Sequence, residues 1–323
     1  MDRHELLQKI STFPLVAGVL AEDLLAGNYR SIFKGQGIEF DEVRHYEQGD
    51  DIRSIDWNVS ARFGTPYVKM YREERELTAA IVLDCSASMH TGAGKNETQA
   101  GQRLSAGQSL SAVSRYDQAL LAAALVAFSA ERAGQRVGGV FFDREITRIF
   151  PPKKGRSHVM ALISGALRVK NAGKGSELGK ALVGAGRLLK RRSLVVLISD
   201  FQSLNWEMEL GDLARNHDVI ALRIRDPLET EMPSMGLFSF VDPETGVKVS
   251  APTGFDSFRS GWTAWQTERA GLWEAICRHS GAGCLELSTA DDAAAVLMRF
   301  FAGRKTPRRM LRNTGGPPGG RPA

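Results

Sequence analysis

Two uninterrupted apolar runs constrain the fold of this chain more than any other feature of its sequence. Residues 79–83 read Ala-Ala-Ile-Val-Leu, and residues 194–198 read Leu-Val-Val-Leu-Ile. Short runs without polar alternation are typical of strands buried on both faces, as in a parallel sheet covered by helices. From Leu77 onward such strands alternate with segments of helical periodicity. The pattern predicts an α/β fold with a doubly wound, mostly parallel sheet of the Rossmann type.

The individual elements follow from the same patterns. Strands are predicted at 80–83, 137–142, 145–150 (an edge strand), 194–198, 219–224 and 284–287, with a hairpin at 237–249. Helices are predicted at 116–133, 159–167, 178–189, 207–215, 258–279 and 291–301. Ahead of this region, alternating residues predict strands at 39–46 and 67–72, so we expect a small N-terminal β-rich unit.

We therefore divide the chain into three parts. Residues 1–76 form an N-terminal helix plus the β-rich unit, residues 77–302 form the α/β domain, and residues 303–323 form a basic, disordered tail. Residues 90–115 are rich in Gly, Ser and Gln, and they directly follow a predicted strand. Loops of this length are usually functional or disordered, so we predict a flexible insertion over that edge of the sheet.

Composition favours a cytoplasmic protein. Hydrophobic residues make up 43% and charged residues 24% of the 323 residues, and no segment approaches the roughly 20 apolar residues of a membrane span. The charged start of the chain, Met1 to Glu5, is unlike a secretory signal. The three cysteines, Cys85, Cys277 and Cys284, show no zinc spacing and are expected to be reduced thiols.

The net charge of +5 does not indicate a nucleic-acid-binding protein. Six basic residues and no acid lie after Ala302, so the rest of the chain is close to neutral. No aromatic residues accompany these charges, as they do in proteins that bind single strands. We expect no nucleic acid among the partners.

Polar oxygens follow both apolar runs. Asp84, Ser86 and Ser88 come directly after the first run, Asp200 follows the second, and Ser176 precedes a predicted helix. The carboxyl ends of parallel strands meet at one edge of a sheet, where ligands bind. Oxygen donors of low total charge suit a hard cation such as Mg²⁺. Two alternatives remain open, since aspartate and serine also stabilise turns and Ser176 is in a position to be a helix N-cap.

The spacing Asp-x-Ser-x-Ser at Asp84, Ser86 and Ser88 resembles the metal-ion-dependent adhesion site of von Willebrand factor A domains. The resemblance places Ser176 where that site has a threonine, and Asp200 where it has an aspartate. It implies a bound Mg²⁺ (or Mn²⁺ or Ca²⁺) held directly by hydroxyls, with the carboxylates often acting through water. It also implies that an acidic residue of a partner protein completes the coordination.

The N-terminal unit carries a more specific resemblance. The series Val43-Arg44-His45-Tyr46, Gly49-Asp50-Asp51-Ile52-Arg53, Ile55-Asp56-Trp57 and Tyr71-Arg72-Glu73-Glu74-Arg75 resembles the family known as domain of unknown function 58, in which it precedes an A-type domain. Members of that family are thought to act with MoxR-type AAA+ ATPases as adaptors or co-chaperones in protein maturation. The resemblance implies such an ATPase, and a client protein, as partners.

An enzyme is the competing interpretation. An aspartate after an apolar strand is also the nucleophile of metal-dependent phosphatases and phosphotransferases, and Asp84 stands in that position. Those enzymes usually carry a second aspartate two residues later, where this chain has Ser86. Gly92-Ala93-Gly94-Lys95 lacks the spacing of a phosphate-binding loop. We therefore predict a non-enzymatic, metal-dependent protein-binding module.

Overall fold

The structure is a computed structural model. It describes residues 38–48, 50–73, 77–91, 113–169, 175–230, 232–234, 236–241 and 246–304. The N-terminal helix, most of the predicted insertion and the basic tail lie outside the described residues. The tail was predicted to begin at residue 303, but the last helix runs to Arg304.

A six-stranded sheet forms the centre of the molecule, in the order β10-β7-β6-β3-β4-β5. Its members are β3 (Thr78–Asp84), β4 (Arg136–Phe142), β5 (Ile146–Lys153), β6 (Leu194–Ser199), β7 (Asp218–Arg225) and β10 (Gly283–Ser288). All neighbours pair in parallel except β4 and β5, which are antiparallel. The prediction of a mostly parallel sheet with an edge strand near residues 145–150 is therefore confirmed.

Helices cover both faces of this sheet, as a doubly wound fold requires. On one face lie α2 (Arg115–Arg132), α3 (Arg156–Leu167) and α8 (Ala293–Arg304), and on the other lie α4 (Leu178–Leu188), α5 (Glu207–Asn216) and α7 (Asp256–Ser280). Alternate residues of β3 enter opposite cores: Ile81 and Leu83 pack into the first, and Ala80 and Val82 into the second. This explains the unbroken apolar run, because both faces of a parallel strand are buried.

The edge strand approaches its neighbour closely at a glycine. A Cβ on Gly138 of β4 would lie 3.0 Å from the Phe150 carbonyl oxygen and equally close to the Pro152 ring. Two prolines, at positions 151 and 152, lie within β5 just before its last residue, Lys153. Proline is tolerated at a sheet edge because its missing N–H faces no further strand.

The N-terminal unit contains an antiparallel pair, β1 (Ile38–His45) and β2 (Tyr67–Glu73). Between them lies a helix that the sequence patterns did not predict, α1 (Trp57–Phe63). The Asp56 side chain caps this helix by accepting from two backbone N–H groups, and Gly64 ends it in the left-handed conformation, with φ of 72°. The unit is therefore β-rich but not purely β.

The remaining elements connect β7 to β10 through the short helix α6 (Pro227–Thr230) and a hairpin of β8 (Leu237–Val241) and β9 (Lys248–Pro252). The hairpin was predicted at 237–249. Helix α7 follows it with 25 residues. Among the described residues, no helix has the length and apolar character needed to cross a membrane.

Candidate metal centre

The carboxylate of Asp84 lies at the centre of a buried group of oxygens at the carboxyl edge of the sheet. It is fully buried at the end of β3, and its Oδ1 accepts a hydrogen bond from the Ser86 N–H at 2.9 Å. Its Oδ2 accepts from the hydroxyls of Ser199 at 2.6 Å and Ser176 at 3.1 Å. Three separate segments of the chain therefore meet at one side chain.

Ser86 and Ser88, in the loop after β3, turn their hydroxyl groups toward each other. Their hydroxyl oxygens lie 3.0 Å apart, and both residues are buried. The turn that brings them together is a 3₁₀ helix over Ala87–His90, which begins directly after Ser86. Cys85, between Asp84 and Ser86, points elsewhere: its Sγ lies 3.7 Å from the Tyr116 hydroxyl oxygen. Cys85 therefore faces away from the two serines.

Ser176 does not act as a helix cap. The N-cap of α4 is Glu177, and the Ser176 hydroxyl instead donates to Asp84 and accepts from the Ser203 hydroxyl at 2.8 Å. The serine therefore turns toward the sheet edge, which resolves the alternative interpretation of Ser176 as a plain cap.

Asp200 brings the second carboxylate to the same edge. Its Oδ1 accepts from the Gln202 N–H at 3.2 Å. Its Oδ2 is buried and has no hydrogen-bond partner within the described part of the chain. The following residue, Phe201, adopts φ of 55°, which is unusual for a side chain other than glycine and turns the chain sharply away from β6.

We call Asp84, Ser86, Ser88, Ser176 and Asp200 the oxygen cluster. Burial raises the pKa of the Asp84 carboxyl above its usual range, and the nearby charge of Asp200 raises it further. Burial likewise raises the pKa of Asp200, opposed by the charge of Arg115 and by a hydrogen bond from Ser88. Both shifts have the same first cause, because both carboxylates have been removed from water.

A dication fits this arrangement. An unpartnered, buried carboxylate oxygen is costly unless a cation or hydrogen-bond donor satisfies it. The cluster offers only carboxylate and hydroxyl oxygens, which is the donor set that Mg²⁺ and similar hard cations prefer. All five residues named from the sequence lie at this edge of the sheet, and their role as metal ligands stays a prediction.

Three further residues support the cluster and were not predicted. Ser199 donates to Asp84 and also accepts from the Phe201 N–H at 3.0 Å, and Ser203 holds Ser176. Ser199 had a signal in the sequence, since it ends the apolar run immediately before Asp200. Ser203 had none.

Arg115 is the third, and it fixes the loop from outside. Its Nη1 donates to the Ser88 carbonyl at 3.2 Å and to the Thr91 hydroxyl at 2.9 Å. Its backbone N–H contacts the Thr91 carbonyl at 3.4 Å, so the chain leaves residue 91 and returns to the same place. Its Nη2 donates to Glu229 Oε1 at 2.5 Å.

Glu229 extends this contact into an ion-pair network. Its other carboxylate oxygen lies 3.4 Å from Arg223, which lies 3.2 Å from Glu286. We use the term ion-pair network for Arg115, Glu229, Arg223 and Glu286. The side chains of the first three are only 12%, 11% and 8% exposed. The network runs from the loop that carries Ser88, through α6 and β7, to the edge strand β10.

The strand order, the helices on both faces and the Asp-x-Ser-x-Ser loop define a von Willebrand factor A-like fold. A family model, described as protein of unknown function DUF58, matches residues 42–270. This match covers most of the chain, and the protein belongs to that family. The prediction from the N-terminal motifs is therefore confirmed.

Curated relatives come from mycobacteria. Uncharacterized protein Mb1516 of Mycobacterium bovis and uncharacterized protein Rv1480 of Mycobacterium tuberculosis are each 30% identical to this chain over 311 residues. Each alignment covers 94% of this chain and 92% of the relative. The similarity therefore extends over nearly the whole length of both proteins.

Solved structures of similar shape include the conserved hypothetical protein BatB from Bacteroides thetaiotaomicron and the VWA domain of SpRpn10. BatB aligns with a TM-score of 0.44 and 13% identity, over 71% of this chain and 98% of BatB. The SpRpn10 domain aligns with a TM-score of 0.37 and 9% identity, over 70% of this chain and 94% of the domain. With scores of this size, the fold assignment rests on the strand order and the helix placement.

Proposed function

We propose that this protein is a non-enzymatic, divalent-metal-dependent protein-binding module. The observation that carries the proposal is the buried, unpartnered oxygen of Asp200 inside a cluster of hydroxyls and a second carboxylate. The ion would be held by Ser86, Ser88 and Ser176 through their hydroxyls, with Asp84 and Asp200 supplying the balancing charge. Mg²⁺ is the proposed cation, with Mn²⁺ and Ca²⁺ as alternatives.

The charge balance explains why such a site binds proteins. Two carboxylates neutralise one dication, and little negative charge remains to repel a third carboxylate. An aspartate or glutamate of a partner is then attracted to a remaining coordination position. Arg115 contacts the Ser88 carbonyl on the same side, but its charge is paired with Glu229, so the attraction would come from the cation itself.

Asp84 is poorly placed to be the nucleophile of a phosphatase. Its carboxylate is fully buried and already accepts three hydrogen bonds, from Ser86, Ser199 and Ser176. A nucleophile must reach its substrate, whereas a carboxylate that organises a metal site does not. This geometry favours the binding module over the enzyme.

The proposed partners are a MoxR-type AAA+ ATPase and a client protein that offers an acidic residue to the metal. This part of the proposal follows from the family resemblance of the N-terminal motifs. It makes the protein an adaptor or co-chaperone in protein maturation, with no nucleic acid among its partners.

Metal binding is tested by thermal unfolding with Mg²⁺ and with a chelator. Saturating Mg²⁺ stabilises the folded state by about 2.7 kcal/mol at one hundred times the dissociation constant, so the melting temperature of the wild type should rise. Asp84→Ala and the Ser86→Ala/Ser88→Ala double variant should show no rise. Asp143→Asn is the matched control, since Asp143 is a buried carboxylate at the same edge whose Oδ1 bonds to the Glu145 N–H. Equal shifts in wild type and Asp84→Ala would refute the proposal.

Partner binding is tested separately by capture of a purified MoxR-type ATPase. The wild type should retain the ATPase in Mg²⁺ and release it in chelator, and Asp84→Ala should not retain it. Retention that is equal in Mg²⁺, in chelator and with Asp84→Ala would exclude a metal-dependent contact with this ATPase.

A further inference from the structure

Two of the three cysteines lie together at the carboxyl end of the long helix α7. Cys277 belongs to the last turn of α7, and Cys284 is the second residue of β10. Gly281 ends the helix in the left-handed conformation, and the Ala282 N–H donates to the Cys277 carbonyl at 2.9 Å. The chain therefore reverses within a few residues and returns the second cysteine to the helix turn that carries the first.

Two contacts place the sulfur of Cys284 against this turn. Its Sγ lies 3.9 Å from the Glu274 carbonyl oxygen and 3.9 Å from the Ala282 carbonyl oxygen. Glu274 lies three positions before Cys277, on the same side of the helix. Cys284 packs against the hydrophobic core that contains Cys277, and the two thiols hydrogen-bond to each other. The two sulfurs are thus neighbours while both are still thiols.

The two thiols differ in exposure and in acidity. Cys277 is fully buried, whereas Cys284 is partly exposed. The hydrogen bond with Cys277 lowers the pKa of the Cys284 thiol, and the charge of Arg278 lowers it further, against the opposing effects of burial and of Glu274. The same hydrogen bond, together with burial, raises the pKa of Cys277. An accessible and more acidic thiol beside a buried one is typical of a pair in which the first is oxidised and the second resolves it.

The third cysteine provides a contrast within the same chain. Cys85 is fully buried in the core on the other face of the sheet, where its Sγ lies 3.7 Å from the Tyr116 hydroxyl oxygen. Burial raises the pKa of its thiol to about 12. Cys85 should therefore be unreactive near neutral pH, and the sheet separates it from the other two cysteines.

We propose that Cys277 and Cys284 form a reversible disulfide when a hydroperoxide oxidises Cys284. The Cys284 thiolate attacks one oxygen of the peroxide, the O–O bond breaks, and Cys284 becomes a sulfenic acid. With hydrogen peroxide the other oxygen leaves as hydroxide, which takes up the proton released by the Cys284 thiol. The Cys277 sulfur then attacks the sulfenic sulfur, the S–O bond breaks, and that oxygen leaves as water with the Cys277 proton.

The overall reaction converts two thiols and one hydrogen peroxide into one disulfide and two water molecules. Two electrons pass from the sulfurs to the peroxide, and a dithiol reductant returns them by exchange. The disulfide would link the end of α7 to the edge strand β10 by a covalent bond. The inference does not depend on the proposed cation, because neither cysteine belongs to the oxygen cluster.

The test uses the purified, fully reduced protein in chelator, so that trace metals do not oxidise the thiols. After treatment with a small excess of hydrogen peroxide, the remaining thiols are alkylated in denaturant, and the digested protein is analysed by mass spectrometry. The number of alkylated thiols should fall from three to one, with Cys85 as the thiol that remains. A linked pair of peptides should contain Cys277 and Cys284, and dithiothreitol should restore all three thiols.

Three single variants assign the role of each cysteine. In Cys277→Ala, peroxide should leave Cys284 as a sulfenic acid that a dimedone-type probe labels. In Cys284→Ser, Cys277 should stay reduced at the same dose. Cys85→Ala is the matched control and should form the disulfide to the same extent as the wild type. Circular dichroism checks that each variant is folded, and the wild-type result is decisive without any of them.

The inference is overturned if all three thiols survive a peroxide dose that oxidises glutathione in a parallel sample. It is equally overturned if the linked pair includes Cys85. Disulfides only between two molecules, or overoxidation of Cys284 while Cys277 stays reduced, would likewise show that the two thiols do not act as a pair.

Discussion

The oxygen cluster and the ion-pair network lie side by side at the carboxyl edge of the sheet, and both remove charged groups from water. In the network, Glu229 pairs with Arg115 and Arg223. Glu286 pairs with Arg223 and also, at 3.9 Å, with Arg225, so both carboxylates have cationic partners. In the oxygen cluster, two carboxylates are surrounded by hydroxyls, and one oxygen of Asp200 has no partner among the described residues. In the network both carboxylates are paired with arginines, whereas the two carboxylates of the oxygen cluster have no ion pair among the described residues.

This difference separates a group of paired charges from a group to which the proposed function assigns cation binding. Balanced buried ions are stabilising only as a set, since the loss of one member leaves its partner buried and unpaired. Unbalanced buried carboxylates destabilise the metal-free protein and are stabilised by a cation. Arg115 contacts both groups, because it donates to Glu229 and to the Ser88 carbonyl. Neutralising a carboxylate should therefore lower the free energy of unfolding in the ion-pair network and raise it in the metal-free oxygen cluster.

The largest expected effect comes from breaking the balance of the ion-pair network with Glu229→Gln. This change leaves the buried Arg115 and Arg223 without their shared carboxylate. The free energy of unfolding should fall by about 3–5 kcal/mol, with or without Mg²⁺. Denaturant titration measures this loss. The control Glu274→Gln, which removes an exposed pair with Arg278, should cost less than about 1 kcal/mol. Similar losses for the two variants would contradict the comparison.

Asp200→Asn should stabilise the metal-free protein, whereas Glu229→Gln should destabilise it. Neutralising the Asp200 side chain removes a buried charge whose Oδ2 has no hydrogen-bond partner among the described residues, so the free energy of unfolding in chelator should rise by about 1–3 kcal/mol. The same variant should show no further stabilisation by Mg²⁺. Thermal unfolding in chelator and in Mg²⁺ measures both effects. A metal-free variant less stable than the wild type would show that the carboxylate is already compensated.

A smaller effect is expected at the periphery of the oxygen cluster, from Ser203→Ala. This change removes the hydrogen bond to the Ser176 hydroxyl, at 2.8 Å, and leaves every member of the cluster in place. We expect a loss of about 0.5–1.5 kcal/mol in the free energy of unfolding. Calorimetry should find Mg²⁺ still bound. Loss of Mg²⁺ binding in this variant would make Ser203 a member of the cluster.

The sheet and the cluster were accessible from the sequence for the same physical reason. A parallel strand buried on both faces leaves an unbroken apolar run, as in β3 and β6. Whatever polar residue follows such a run must lie at the ligand-binding edge. Asp84 and Asp200 were found in this way, and the elements around them were predicted to within a few residues. Ser86 and Ser88 were named from their spacing after Asp84.

The supporting contacts were not accessible in this way. Arg115 and Glu229 are 114 positions apart and meet only because α2 and α6 begin at the same edge of the sheet. Helix α1 was missed because its seven residues are too few for a periodic pattern to emerge, although Asp56 and Gly64 mark its ends. Local signals therefore identify strands and caps, whereas side-chain pairing depends on strand order.

The contact of the Arg115 N–H with the Thr91 carbonyl has a practical consequence for protein engineering. A hydrogen bond links the residues that flank the stretch 92–114, Thr91 and Arg115. The number of residues between them can therefore change without moving the loop that carries Ser88. Doubling a flexible loop costs only about 0.6 kcal/mol of closure entropy. This position is therefore suited to grafting a fluorescent reporter or affinity tag next to the oxygen cluster.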